Sequence, residues 1–291
     1  MSELFALIFS GLLTGAVYGL VGLGKVIVFK TTATVNFAIA DIATLAAFCA
    51  MVALHMGVPV LGCLALAMLI SGLVGVGVDR LLLTRLKPSR DRIFIALVLM
   101  IGLGFVIRAT IGAVWGHSAQ LVPPLVDGTV TVGPLVVTWN RILAAALALL
   151  AMGFVAWFFT VTSFGVAMRA SAEDPFAAKL IGINSKLVAV ISWFIGGALA
   201  ALAIFFLGAE AQLTPTFALI PLFRALAGVF LGGFTSMPGA VAGGFAIGVL
   251  DNLAGRYVSA SFRDTMVFGI IVAVLFIRPA GLFGKVRAER V

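Results

Sequence analysis

The sequence predicts an all-α polytopic membrane protein, built from about eight to nine transmembrane or re-entrant helices plus one short cytoplasmic helix. Three observations carry this. Of 291 residues, 63% are hydrophobic and only 10% are charged, where soluble domains carry roughly 25% charge. The mean hydropathy is +1.24. Glycine is abundant, at 33 residues, as suits helices that touch backbone to backbone in lipid. A water-soluble globule of this size has too little interior to hide so much apolar surface. The same composition excludes a disordered chain.

A crossing needs roughly 20 apolar residues. Candidate spans lie at 4–24, 35–54, 60–78, 93–114, 142–161 and 187–208. The last part of the chain offers 217–234, a short Gly-rich run at 238–250, and 265–284. Between them, segments 25–40 and 228–248 carry many Gly, Thr and Pro residues, the threonines mainly in the first and the glycines and Pro238 in the second. Either suits a broken or re-entrant helix, which lipid tolerates only where protein or a watery cavity covers it. Residues 1–291 are therefore expected to form a single transmembrane domain.

Basic residues set the sidedness. The loop 79–92 holds Arg80, Arg85, Lys87, Arg90 and Arg92, and the segment 162–186 holds Arg169, Lys179 and Lys186. Lys285, Arg287 and Arg290 lie in the tail, and Lys25 and Lys30 fall between the first two spans. With nine alternating crossings, all of these share one side. The opposite loop, about 115–139, has no Lys or Arg between 116 and 138. The N-terminus is thus expected outside and the C-terminus in the cytoplasm. The start, Met1-Ser2-Glu3, lacks the basic stretch of a cleavable signal peptide. In the external loop, the alternation at Thr129–Val132 between glycines predicts a short hairpin. It either rests on an extracytoplasmic partner or simply caps the bundle. The thiols Cys49 and Cys63 match no metal or redox spacing and read as small hydrophobes.

The longest polar stretch on the cytoplasmic side is 165–186, and its order is that of a short amphipathic helix. Asp174 is placed to cap the first backbone N–H groups. Pro175 suits the first helical position, where no N–H is needed. Phe176 and Leu180, four residues apart, share a face. Ala177, Ala178 and Lys179 favour helix, and Gly182 is the expected left-handed stop. About two turns are marginal in water alone, so the helix needs a surface. The surface is either the membrane, with Phe176 in lipid, or a groove on a cytoplasmic ATPase.

Ionisable groups within spans cost roughly 2.5–3.5 kcal/mol on insertion scales. Asp41 falls about seven residues into the second span, with Asn36 about a turn and a half before it. They face a path for solute, or they bond to neighbouring helices. Arg224 either snorkels, pairs with Glu210 or Asp251, or flanks the path, and Arg108 is expected to snorkel. Gly11, Gly15 and Gly19 recur every four residues, as do Gly228 and Gly232, Gly239 and Gly243, and Gly244 and Gly248. These are close-packing faces.

Several chemistries are absent. Gly19-Leu-Val-Gly-Leu-Gly24-Lys25-Val26 nearly spells a phosphate loop, but Val26 stands where a hydroxyl must reach Mg²⁺. The only histidines, His55 and His117, belong to no metal motif. No Gly-x-Ser-x-Gly is present. Ion-coupled transport would need several midplane charges, where only Asp41 and Arg224 qualify. The chain is expected to bind no metal or nucleic acid.

Five motifs, in order along the chain, resemble those of the membrane subunits of branched-chain amino-acid ABC importers, the LivH-type permeases. Gly11–Tyr18 resembles the Gly-rich first span, and Asn36-Phe37-Ala38 resembles the start of an Asn-Phe-Ala-His-Gly-Glu motif. Gly165–Ile183 is similar to the cytoplasmic Gly-Arg-Ala-Met-Arg-Ala…Asp-Pro…Gly-Ile signature. Leu231-Gly232-Gly233 with Pro238-Gly239-Ala240 and Gly243-Gly244 matches a late Gly-rich segment. Arg278-Pro-Ala-Gly-Leu-Phe-Gly284 matches the C-terminal motif. Two departures stand out: Ile39-Ala40-Asp41 replaces His-Gly-Glu, and Val166 replaces an Arg.

The resemblance implies a permease subunit of the inner membrane that pairs with an identical or related permease. Two cytoplasmic ATPases would use ATP and Mg²⁺, which this chain would not bind itself. An extracytoplasmic binding protein would deliver solute. Branched-chain or other hydrophobic amino acids are the implied cargo, with urea or short amides as the alternative. The same resemblance implies that Arg169, Glu173, Asp174, Pro175, Phe176, Ala178, Lys179, Leu180 and Gly182 couple to the ATPases. Asn36, Phe37, Asp41 and Arg224 are the candidate path residues, and Gly11, Gly15, Gly19, Gly232, Gly233, Gly239 and Gly243 the candidate helix-packing residues.

Overall fold

Backbone in lipid must satisfy its own hydrogen bonds, and apolar runs this long do so as helices. The computed structural model describes residues 2–86, 91–132, 135–259, 262–278 and 280–284. Among them the order is α1 (Ser2–Thr32), α2 (Ile39–His55), α3 (Val60–Leu81), a 3-10 turn (Leu83–Arg85) and α4 (Arg92–Trp115). The hairpin β1 (Thr129–Val132) and β2 (Leu135–Thr138) follows. Next come α5 (Trp139–Val161), α6 (Ser163–Glu173), α7 (Pro175–Leu180), α8 (Ser185–Ala211), α9 (Leu219–Gly232), α10 (Met237–Tyr257) and α11 (Arg263–Ile277). Lys87, Arg90, Pro279, Lys285, Arg287 and Arg290 lie outside the described residues.

Six helices are long and apolar enough to cross a membrane, and three shorter apolar helices accompany them, at Ile39–His55, Leu219–Gly232 and Thr265–Ile277. These correspond in order to the nine candidate segments, with four boundaries corrected. First, α1 does not stop near residue 24 but runs unbroken to Thr32, so the break within 25–40 is confined to residues 33–38. Second, the run 238–250 is the front of a 21-residue helix that continues to Tyr257. Its rear half was hidden by Asp251, Asn252 and Arg256, which the structure pairs with other helices. Third, α9 has only 14 residues, about 21 Å at 1.5 Å per residue, short of a roughly 30 Å hydrocarbon core. Fourth, the segment 265–284 is not one span. α11 ends at Ile277, and the chain returns so that the N–H groups of Leu282 and Phe283 donate to the carbonyls of Leu231 and Gly232 at 2.9 and 3.0 Å.

α1 is the central post, packed by α10, α8, α9 and α5. The four-residue glycine spacing is what lets α10 approach it. A Cβ on Gly11 would lie 2.6 Å from Val249 Cα, and one on Gly15 would lie 2.7 Å from Phe245 Cα. Gly19 faces Gly244 in the same row. Ascending α1 descends α10, so the two are antiparallel. Gly232 meets Gly239 and Gly228 meets Gly243 across the α9–α10 turn, while Gly233, at φ +104°, abuts Gly284.

α3 runs antiparallel to α8 through a matching close approach, with the Ser71 hydroxyl donating to the Gly197 carbonyl at 2.8 Å. Arg80 at the end of α3 therefore lies toward the start of α8, beside α6 and α7. The hairpin, whose register pairs Thr129 with Thr138, sits at the opposite end of α5. Arg80, Arg85 and the α6–α7 segment thus lie at the end of the bundle opposite the hairpin.

Candidate functional site

At the basic end, the chain makes an elbow of two helices where one was expected. Thr162 caps α6 by accepting from the Gly165 N–H at 3.0 Å. Asp174 ends α6 and starts α7: its Oδ1 accepts from the N–H groups of Phe176 and Ala177, both at 2.9 Å. Pro175 fills the first helical position, where a missing N–H costs nothing. Gly182 closes the turn at φ +85°, a region in which only glycine is unstrained. Ala178 is buried against the body, whereas Phe176 and Leu180 are each 73% exposed and Ile181 is 75% exposed. Lys179 stands in the last turn of α7. Arg169 and Glu173 belong to α6. The elbow is held by caps and one buried face, and it presents an apolar ridge to its surroundings.

Inside the bundle, charges from three helices meet. Asp41 lies in the first turn of α2 rather than mid-helix, and its carboxylate is 3.2 Å from Arg108 Nε on α4. Arg108 does not snorkel: it is drawn inward to this carboxylate and also donates to the Gly104 carbonyl at 3.1 Å. Gly104 makes room for the pair, since a Cβ there would stand 2.6 Å from Asp41 Oδ2. Lys25, placed by its charge in a loop, is in fact within α1 and 1% exposed. Its Nζ lies 5.5 Å from the centroid of the Phe37 ring. Asn36 is buried in the turn between α1 and α2, where Ala33 takes φ +53°.

A second ionic group ties α1, α9, α10 and α11 together. Arg224 donates to the Tyr18 hydroxyl at 2.9 Å and lies 3.3 Å from Asp251. Arg263 approaches the same carboxylate at 3.5 Å. Of the three fates open to Arg224, the structure gives the ion pair with Asp251. Glu210 instead faces Arg141 at 3.9 Å, and that arginine also reaches Thr14 and the Ser10 carbonyl. A cavity of about 440 Å³ opens there, walled by the hairpin, α5 and the end of α8. Among the described residues, no group of His, Cys, Asp and Glu gathers that would hold a metal ion.

Lys25, Tyr18, Gly104 and Arg108 were missed as site residues. The one sequence signal was a lysine five residues before Lys30 in an otherwise apolar run. It reads as a loop unless its distant partners are known.

Residues 7–276 match the family described as branched-chain amino acid transport system / permease component. The chain is 26% identical over 297 residues to the high-affinity branched-chain amino acid transport system permease protein BraD of Pseudomonas aeruginosa, covering 97% of this chain and 96% of that one. It is 27% identical over 298 residues to the corresponding LivH proteins of Salmonella typhimurium and Escherichia coli, with the same coverage. Among solved structures, PsaBC from Streptococcus pneumoniae in complex with Fab aligns over 93% of this chain and 91% of that one, at 14% identity and a TM-score of 0.49.

Proposed function

Because this chain belongs to the branched-chain amino acid transport system / permease component family, we propose that it is the membrane-spanning subunit of an ATP-driven importer of branched-chain or similar hydrophobic amino acids. The match over nearly the full length of named permeases supports this reading. The observation in this molecule that carries it is the elbow of α6 and α7. A capped, six-residue helix is too short to stand alone, yet it holds Phe176, Leu180 and Ile181 outward.

Such a ridge suits a groove on a cytoplasmic ATPase, two of which would serve a pair of permeases, identical or related. Arg169, Glu173 and Lys179 would border the contact with charge. ATP and Mg²⁺ would belong to those motors. Their closure would draw two elbows together and switch the packing of the bundle between two states. The basic end would then be cytoplasmic in the inner membrane, with the N-terminus outside. The hairpin end would meet an extracytoplasmic binding protein. Asn36, Phe37 and Asp41, grouped at the turn between α1 and α2, would line the solute path.

The test is co-purification. The detergent-solubilised protein, co-expressed with a candidate ABC ATPase subunit, should retain that ATPase. Replacing Phe176 with Asp should release the motor and abolish uptake while the receptor still binds solute. A variant that retains both motor and uptake refutes the elbow's role.

A further inference from the structure

The cleft at the hairpin end of the bundle holds a cation and an anion that are close but not hydrogen-bonded. It measures about 440 Å³, within the roughly 300–1,000 Å³ range of small-molecule sites. Arg141 and Glu210 both line it, with 3.9 Å between Arg141 Nε and Glu210 Oε2. That is too long for a hydrogen bond, and Arg141 Nε is buried without an acceptor. The guanidinium is held through Nη2 by the Thr14 hydroxyl and the Ser10 carbonyl of α1. Arg141 and Glu210 are both partly exposed, and such pairs add little stability, so the fold alone gives them little reason to face each other here.

Each charge also stands at the unfavourable end of its helix. Arg141 is in the first turn of α5, where the dipole is partly positive, and Glu210 is in the last turn of α8, where it is partly negative. The first end therefore favours an added anion and the second an added cation. Asp127 lines the same cleft, which leaves one cation against two carboxylates. That balance repels a bare anion, whereas a ligand carrying both charges satisfies it. Pro124, Val126 and Val136 add an apolar wall, and both valines are exposed.

The cleft is preformed. Asn140 Oδ1 accepts from the Leu125 N–H at 3.0 Å, and Gln120 and Leu213 exchange two backbone hydrogen bonds, each of 2.8 Å. These bonds tie the loop before the hairpin to α5 and to the chain leaving α8. Gln212, between Glu210 and that bridge, takes φ +60°, a sparsely populated setting for a non-glycine residue, of the kind that gathers at ligand sites.

We propose that this cleft binds a zwitterionic α-amino acid with an apolar side chain. Arg141 takes the carboxylate, Glu210 takes the ammonium, and the wall of Pro124, Val126 and Val136 takes the side chain. It is a receiving site at the hairpin end, ahead of the path through the bundle. The proposal rests on the permease reading above and narrows it, since urea and neutral amides lack both charges.

The probe is radiolabelled leucine bound to the purified permease–ATPase complex in phosphatidylglycerol nanodiscs, without receptor. The competitors are isovalerate, which lacks the ammonium, and leucinamide, which lacks the carboxylate. Leucine should bind roughly 10- to 100-fold tighter than either, as expected when each competitor forgoes one charge-assisted hydrogen bond. In Glu210→Gln leucine should weaken to the level of isovalerate, while isovalerate itself binds no worse. An ion pair with a structural role only would not move this ratio. Val136→Trp, which fills the cleft from an exposed hairpin position, should lose leucine while keeping its melting temperature.

The site is overturned if leucine does not bind, if isovalerate or leucinamide competes as well as unlabelled leucine, or if Glu210→Gln leaves the ratio unchanged. Displacement of leucine by added phosphatidylethanolamine, whose headgroup also joins an ammonium to an anion, would give the cleft to lipid and overturn it too. Should Glu210→Gln fail to assemble, competition on the wild-type complex and binding to Val136→Trp still decide. ATP-driven leucine uptake at the wild-type rate and KM in Glu210→Gln refutes this site and leaves the transport reading standing. The expected binding ratio with no ATP-driven uptake does the reverse.

Discussion

Truncating Phe176 to alanine separates docking from folding. A phenylalanine buries about 200 Å² when enclosed, and this one is 73% exposed. About 150 Å² is therefore available to a partner, worth at most ~3.5 kcal/mol at ~25 cal/mol per Å². Alanine retains a methyl group, so the expected loss is ~2–3 kcal/mol, or roughly 30- to 150-fold in affinity for the ATPase. The remaining helix loses nothing, because Asp174 still caps it and Ala178 still anchors it. The assay is titration of labelled ATPase against the permease in nanodiscs, with thermal unfolding of the permease alone as control. Affinity should fall and the melting temperature should stay within a degree or two. If affinity is unchanged, Phe176 meets lipid rather than a motor and the docking argument fails. A large drop in melting temperature would mean that the side chain is internal, contrary to its exposure.

Other perturbations have equally definite outcomes. Asp174→Ala removes two capping bonds and should cost ~1 kcal/mol of local helix stability. Faster hydrogen exchange at Phe176 and Ala177 checks this, and Asp174→Asn should restore protection. Asp251→Ala removes the carboxylate that Arg224 and Arg263 share; Arg224 keeps the Tyr18 hydroxyl and Arg263 is partly exposed, so the cost should fall below the ~3 kcal/mol of a fully buried broken pair, readable as a modestly lower unfolding temperature. Gly248→Leu drives a side chain into the backbone at Gly15 and should prevent α1 and α10 from closing, seen as loss of monodisperse protein in detergent.

How much of this was legible beforehand depends on the range of the interaction involved. The cap at Asp174, Pro175 in the first turn and the stop at Gly182 are local, and the structure has each where spacing placed it. The hairpin at Thr129–Val132 is local too. Lys25 and Arg108 were misplaced for one shared reason: a charge in an apolar run is cheapest near water, and only a partner far along the chain changes that. Asp41 is such a partner for Arg108, 67 positions away. The rear half of α10 failed likewise, since Asp251 and Arg256 look like a loop until Arg224 and Glu3 are brought to them. The short α9 and the return of residues 280–284 depend on backbone contacts at Gly232 and Gly233, for which hydropathy carries no signal.

The account stands most directly on transport itself. The permease, its ATPases and a receptor, reconstituted into sealed vesicles, should accumulate labelled leucine against its gradient only with ATP and an intact elbow. Phe176→Asp should leave receptor binding untouched and abolish accumulation. Accumulation that proceeds without the ATPase, or that survives this change, would contradict the claim that a separate motor drives this chain through α7.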